Sequence, residues 1–355
     1  MDKNKPYNEL PLLPPSKDVW ENIEVYKVLA EARAALAELK GRCPVIPNPF
    51  MLINTLVLQE AKDSSSIENI FTTSDKLYKA FASPTFSADP QTKEVLRYRQ
   101  ALVSAWNKLQ QDNFSVSLME DIYHEIKEKQ DGVRDREVYI GNAFQTIYTP
   151  PCCKKLLLDK LRNWIEFAHA DDDTDPLIKM AILHYQFEAI HPFSDGNGRT
   201  GRVLNVLFLS KLGLLDSPIL YLSKYINTYK NDYYQLLREV TNNGSWTEWI
   251  IYMLISIKET AIYTLKKVNS IYALFQETLE RIRKEAPEVY SYELVSLLFE
   301  QPYCKIAFLV ERGIASRNTA SKYLGVLTEA GILKKEQSGN ESLYLNTELF
   351  HLLTQ

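Results

Sequence analysis

The chain has 355 residues, 45% of them hydrophobic and 24% charged, with a formal net charge of -4. That length supports a sizeable core and two or three domains, and the composition is that of an ordinary globular protein. The mildly acidic balance carries no global nucleic-acid or membrane signature.

The first 18 residues read as an extended lead-in, with Pro6, Pro11, Pro14 and Pro15 against regular helix. Their polar start is unlike a signal peptide. Cys43, Cys152, Cys153 and Cys304 read as free thiols, since only the adjacent pair is close and vicinal cysteines seldom bridge. A cytoplasmic protein is expected, with no membrane partner. The longest apolar run, around Trp249 to Ile257, is too short to span a bilayer.

Good helix formers predict a helix from about Val19 to Lys40 that stops at Gly41, and another beginning near Phe50. Next comes Ser64-Ser65-Ser66-Ile67-Glu68-Asn69, in which Ser65 with Glu68 three residues on has the spacing of a capping box at a helix start. Helices follow at roughly 74–82, 90–111 and 116–130. Between Val138 and Thr149, β-branched and aromatic residues (Val138, Tyr139, Ile140, Ile147, Tyr148) flank a Gly141-Asn142 turn. They predict a short hairpin, against the alternative of a plain surface loop.

Helices are expected from about Lys154 to His169 and from Leu177 to Ile190, the second with Asp175 as N-cap and Pro176 at its first position. Pro192 disfavours helical geometry at His191, so that histidine should end the helix at the mouth of a glycine loop. The segment 203–209 is apolar almost all round and should be a buried hub. A tyrosine-rich helix pair over 221–240 and a long helical stretch from Trp246 to about Lys284 follow.

From Val289 the elements shorten. A helix over Ser316–Glu329 and a ribbon through Gly331–Leu345, turning at Ser338-Gly339-Asn340, match a winged helix-turn-helix. Its six bases stand against seven acids, a weak footprint for phosphate neutralisation. DNA, another protein and a second copy of the chain all stay open as partners.

The chemistry concentrates in His191-Pro192-Phe193-Ser194-Asp195-Gly196-Asn197-Gly198-Arg199-Thr200-Gly201-Arg202. Close-set Gly and Asn feeding a helix leave backbone N–H groups free to converge on an anion. Arg199 and Arg202, three apart, can grip one polyphosphate. A P-loop is excluded because no Gly-Lys-Ser/Thr closes the run. His184, Glu188 and His191 share a helix face, but the spacing is neither His-Glu-x-x-His nor a closed ligand set.

These twelve residues resemble the signature of the Fic family (filamentation induced by cAMP) of AMP transferases, at every fixed position. The resemblance implies a mostly α fold: a Fic-type helical bundle with a short β-hairpin flap, plus the C-terminal winged helix-turn-helix. It divides the chain into an N-terminal helical region (1–110) with an inhibitory helix near 64–70, a catalytic core (111–245), linking helices (246–287) and a winged helix domain (288–355).

The resemblance also implies an ATP-dependent protein adenylyltransferase acting on a Ser, Thr or Tyr hydroxyl of a target protein or of itself. His191 would be the general base and Asp195 would hold Mg²⁺. Gly196, Asn197 and Gly198 would form the anion hole, and Arg199 and Arg202 would clamp the phosphates. The hairpin residues Val138, Tyr139, Ile140, Ile147 and Tyr148 would dock the target as an added strand. Ser64 and Glu68 fit the family's inhibitory pattern Ser/Thr-x-x-x-Glu-Gly/Asn, with Glu68 paired to Arg202, and this competes with the capping-box reading. Two alternatives stay open: removal of AMP by the same site, and a DNA-binding regulator that only senses the nucleotide.

Overall fold

A computed structural model describes residues 2–83, 85–141, 145–339 and 341–355. Helix α1 (Ile23–Arg42) starts later than its sequence suggests, because Asn22 caps it by accepting from the Val25 N–H, and it runs through Gly41. Gly41 does not take the positive φ of a helix-ending glycine, so the helix continues through it.

Helix α2 (Pro49–Ile67) is set by Asn48 at its N-cap and proline at its first position. It then runs unbroken through Ser64, Ser65 and Ser66. The capping-box reading of Ser65 and Glu68 is therefore wrong: this is where a helix ends. Glu68 is the C-cap residue and Asn69 turns left-handed at φ 61°, a conformation that asparagine tolerates.

Helices α3 (Ser74–Ala82), α4 (Pro90–Leu109) and α5 (Val116–Lys127) follow, capped by the side chains of Thr73, Asp89 and Ser115. Strands β1 (Ile140–Gly141) and β2 (Thr146–Tyr148) pair antiparallel with an irregular register. Val138 and Tyr139 lie ahead of the first strand, and Asn142 of the expected turn lies outside the described residues.

Helix α6 (Lys154–His169) leads to α7 (Pro176–Ile190) and α8 (Asn197–Lys211), which hold the signature loop between them. Both are buried nearly all round, as expected of a central pair. Helices α9 (Leu222–Thr228) and α10 (Lys230–Asn243) form the tyrosine-rich pair. The 40-residue helix α11 (Trp246–Glu285) packs along α1 and against α7. The Trp249 indole, fully buried, donates to the Ala181 carbonyl of α7 at 2.8 Å.

The C-terminal part comprises α12 (Tyr292–Glu300), β3 (Tyr303–Cys304), α13 (Ile306–Glu311), α14 (Arg317–Glu329), β4 (Lys334–Ser338), β5 (Glu341–Leu345) and α15 (Thr347–Thr354). Its sheet is antiparallel in the order β3-β5-β4; the helices and the β4–β5 ribbon were expected, whereas β3 and the closing helix α15 were not. That sheet docks on α3: Tyr303 donates to Asp75 at 2.6 Å and Lys79 pairs with Glu336 at 3.1 Å. Among the described residues no helix is long and apolar enough to cross a membrane.

Candidate active site

His191 caps the C-terminus of α7 in the left-handed region, at φ 49°. Such a conformation is costly for a side chain with a Cβ, and Arg134 holds it. The Arg134 guanidinium, 4% exposed, donates to the carbonyls of His191 at 2.8 Å, Ile190 at 3.3 Å, Arg136 at 2.8 Å and Pro151 at 2.7 Å. Its backbone N–H reaches Pro192 O at 2.9 Å. Burial, with the nearby Arg134 charge, pushes the His191 imidazole down to about 4, so it is neutral and able to accept a proton at pH 7.

The loop after His191 is stapled shut. Phe193 is fully buried and stacks on Tyr123, with ring centres 4.4 Å apart. Asn197 accepts from the Phe193 N–H at 2.8 Å and donates to its carbonyl at 2.9 Å. The Asn197 side chain is thus spent on the loop, and only its backbone is left for an anion. Gly196 turns at φ 70°, and the first turn of α8 follows with its N–H groups unpaired within the helix.

The two arginines have different partners. Arg202, 1% exposed, donates from Nε to Ser64 Oγ at 2.8 Å and from one terminal nitrogen to Ser64 O at 3.0 Å and Glu68 Oε1 at 2.9 Å. Ser64 and Glu68, four apart at the end of α2, therefore grip one guanidinium together. Burial opposes ionisation of Glu68, but the charge and hydrogen bond of Arg202 outweigh it and hold the carboxyl below its usual range. A Cβ on Gly198 would meet Glu68 Oε1 at 2.5 Å and an Arg202 nitrogen at 2.9 Å, so the glycine makes room for this contact. Arg199 instead meets Glu94 of α4 at 2.7 Å.

Asp195 is contacted by Lys127 at 2.7 Å and accepts from the Gly196 N–H at 2.6 Å. Burial opposes its ionisation, and the Lys127 contact holds it below the usual range. Glu94, Lys127, Arg134 and Tyr123 were not singled out from sequence; no spacing connects them to residues 191–202.

Glu68, His191, Gly198 and Arg202 line a cavity of about 570 Å³ together with residues of β1, β2 and α10. Ile140 and Ile147 of the hairpin face it, whereas Tyr139 is 59% exposed and donates to Glu137. Tyr148 is buried and donates to the Ala189 carbonyl at 2.7 Å, tying β2 to α7 beside His191. Its side chain anchors the hairpin. His184 is engaged by the Tyr233 hydroxyl at 3.0 Å, and among the described residues no group of three His, Cys, Asp or Glu is placed to hold a metal.

Residues 112–209 match the Fic/DOC family and residues 26–107 match the Fic/DOC family N-terminal region. Residues 274–349 match the C-terminal domain described as protein adenylyltransferase SoFic-like. The chain belongs to the Fic/DOC family. Among curated Fic relatives, the protein adenylyltransferase fic-1 of Caenorhabditis briggsae is 34% identical over 84 residues, 23% of this chain and 15% of that protein. A probable protein adenylyltransferase of Aquifex aeolicus is 37% identical over 81 residues, 23% of this chain and 24% of that protein. The matches thus span less than a quarter of those relatives.

The Fic fold is shared more widely. A Fic family protein from Desulfovibrio desulfuricans G20 aligns over 90% of this chain and 95% of its own, with TM-score 0.54 and 20% identity. Fic-1 from C. elegans aligns over 69% of this chain and 74% of its own, with TM-score 0.53 and 17% identity.

Proposed function

We propose that this chain is a protein adenylyltransferase that moves AMP from ATP onto a Ser, Thr or Tyr hydroxyl, and that Glu68 holds it off. The observation carrying the proposal is one cavity lined by both His191 and the Glu68–Arg202 pair. His191 is neutral there, and Arg202 is already engaged by Glu68 and Ser64. The cavity lies within the range that accommodates a small ligand such as a nucleoside, roughly 300–1,000 Å³.

His191 takes the proton from the target hydroxyl. The oxygen attacks the α-phosphorus, the bond to the bridging oxygen breaks, and pyrophosphate leaves. A positioned base contributes about 10²–10⁴-fold, and backbone donors at the start of α8 stabilise the charge that develops on the phosphoryl oxygens. Arg199 and Arg202 orient the β- and γ-phosphates once their carboxylate partners give way. A divalent ion fits the chemistry of Asp195, a half-exposed carboxylate beside the phosphate cradle. Mg²⁺ is commonly held by one or two carboxylates plus substrate phosphates, and when bound it neutralises phosphate charge.

Glu68 binds the same guanidinium that a γ-phosphate requires, so inhibition and catalysis compete for Arg202. The test is transfer of label from ATP radiolabelled at its α-phosphate, in a Glu68→Gly background. Adding His191→Ala should reduce labelling by at least about 10²-fold, and labelling that survives removes His191 as the base.

A further inference from the structure

A second ion cluster closes the other end of the signature loop. Lys127, the last residue of α5, places Nζ 2.7 Å from Asp195 Oδ2 and 3.0 Å from Glu94 Oε1. The same Glu94 oxygen receives Arg199 at 2.7 Å. The Lys127 side chain is only 14% exposed, so its ammonium is not a solvated surface charge. Its methylenes lie 3.1 Å from where a Cβ on Gly196 would sit, which seats the stem directly against the glycine turn. Lysine offers a compact charge with three donors on a flexible stem. Here two carboxylates from different parts of the chain share that charge.

We propose that Lys127 is an internal counter-cation of the phosphate site: it neutralises Asp195 in the absence of a divalent ion and competes with that ion for the same carboxylate. Glu94 is the second acceptor that retains the ammonium when Asp195 is taken. The inference rests on the reading of Asp195 as the residue that holds the divalent ion. Lys127 acts through Asp195 and is a positioning residue. Its consequence has a definite sign. An ammonium on a carboxylate opposes the approach of a second cation by direct charge repulsion, so removing it strengthens divalent-ion binding. A lysine that merely braced the loop would do the reverse, because its loss would loosen Asp195.

The test measures Mn²⁺ binding to the full-length Glu68→Gly chain with α,β-methylene-ATP, reading free Mn²⁺ by its electron paramagnetic resonance signal. Lys127→Met should bind Mn²⁺ about tenfold more tightly than its parent, and Lys127→Arg, which keeps the charge, should stay within about twofold. Lys127→Gln, which keeps a donor to Glu94, should also tighten binding and serves if the methionine variant unfolds. Unchanged or weaker binding in the neutral variants overturns the proposal. Asp195→Asn separates the two readings. If it leaves Mn²⁺ binding intact, Asp195 does not hold the ion and both readings fall. If it abolishes binding while the neutral Lys127 variants bind no tighter, only the counter-cation falls.

Discussion

Replacing Glu68 by glycine should move stability and activity in opposite directions. Glu68 is a C-cap residue just beyond the end of α2, so glycine there does not interrupt a helix and the cost is confined to the lost contact. That contact is one charge-assisted hydrogen bond to Arg202 at 2.9 Å, a class that contributes about 1.5–3 kcal/mol. Arg202 keeps both bonds to Ser64 and is not left bare. Global stability should therefore fall by about 1.5–3 kcal/mol. The same free energy opposes any phosphate that must displace Glu68, so its removal should raise productive ATP occupancy by about 10- to 150-fold. Urea unfolding reads the first effect, and incorporation of α-phosphate label at subsaturating ATP reads the second. Glu68→Gln, which keeps the shape but not the charge, should fall between wild type and glycine. A Glu68→Gly chain that is less stable yet labels no faster than wild type would show that the pair is structural and refute the brake.

The response to pH draws on Glu68, on the buried histidines His184 and His191, and on the buried carboxyls of Glu60 and Glu188. The Glu68 carboxyl is held below its usual range, so its pairing is fully present above the unfolded carboxylate value of about 4.3 and is lost only as pH falls through the lower folded value. The gain from Glu68→Gly should accordingly be constant between pH 5 and 8 in the labelling assay. Burial pushes His184 down to about 3 and His191 to about 4. At these two positions the native state binds fewer protons than the unfolded chain below the unfolded value of about 6.5, so the two histidines by themselves lower stability as pH falls through that window. Each histidine alone costs roughly 2 kcal/mol at pH 5 relative to pH 7. Burial pushes Glu60 and Glu188 up to about 7, however, and they offset a similar amount. The check is therefore the difference: by urea unfolding, His184→Gln should gain roughly 2 kcal/mol on wild type between pH 7 and pH 5. Arg134→Met would strip four backbone carbonyls of their donor. It should cost at least about 3 kcal/mol of stability and lower kcat for transfer more than it raises KM for ATP; a selective rise in KM would place Arg134 in nucleotide binding instead.

Much of the signature loop was legible in the chain because its geometry is local. Pro192 after a helical run, then glycines leading into an apolar helix, dictate a helix–loop–helix whatever surrounds it, and His191 ends α7 as that reasoning requires. The hairpin was legible from its β-branched and aromatic residues, although Gly141 of the expected turn lies in the first strand, and which of its residues turn inward was not legible. Tyr148 is buried because its hydroxyl finds the Ala189 carbonyl, a partner 41 residues away.

The segment Ser64–Asn69 shows where local spacing misleads. Ser65 and Glu68 are correctly spaced for a helix start, yet Asn48 and Pro49 had already begun the helix, which persists to Ile67. Only the packing of α2 against α8 turns Ser64 and Glu68 into a grip on Arg202. Glu94 and Lys127 carry no signal of their own in the sequence. They matter because α4 and α5 bring a carboxylate and an ammonium to Arg199 and Asp195 from far along the chain. Sequence alone determined the residue types of the phosphate cradle, since backbone geometry and charge at short spacing suffice for it. Which carboxylates occupy its two arginines, and which cation occupies its aspartate, was decided by the tertiary structure, because ion pairs between distant helices depend on burial and distance that no local pattern encodes.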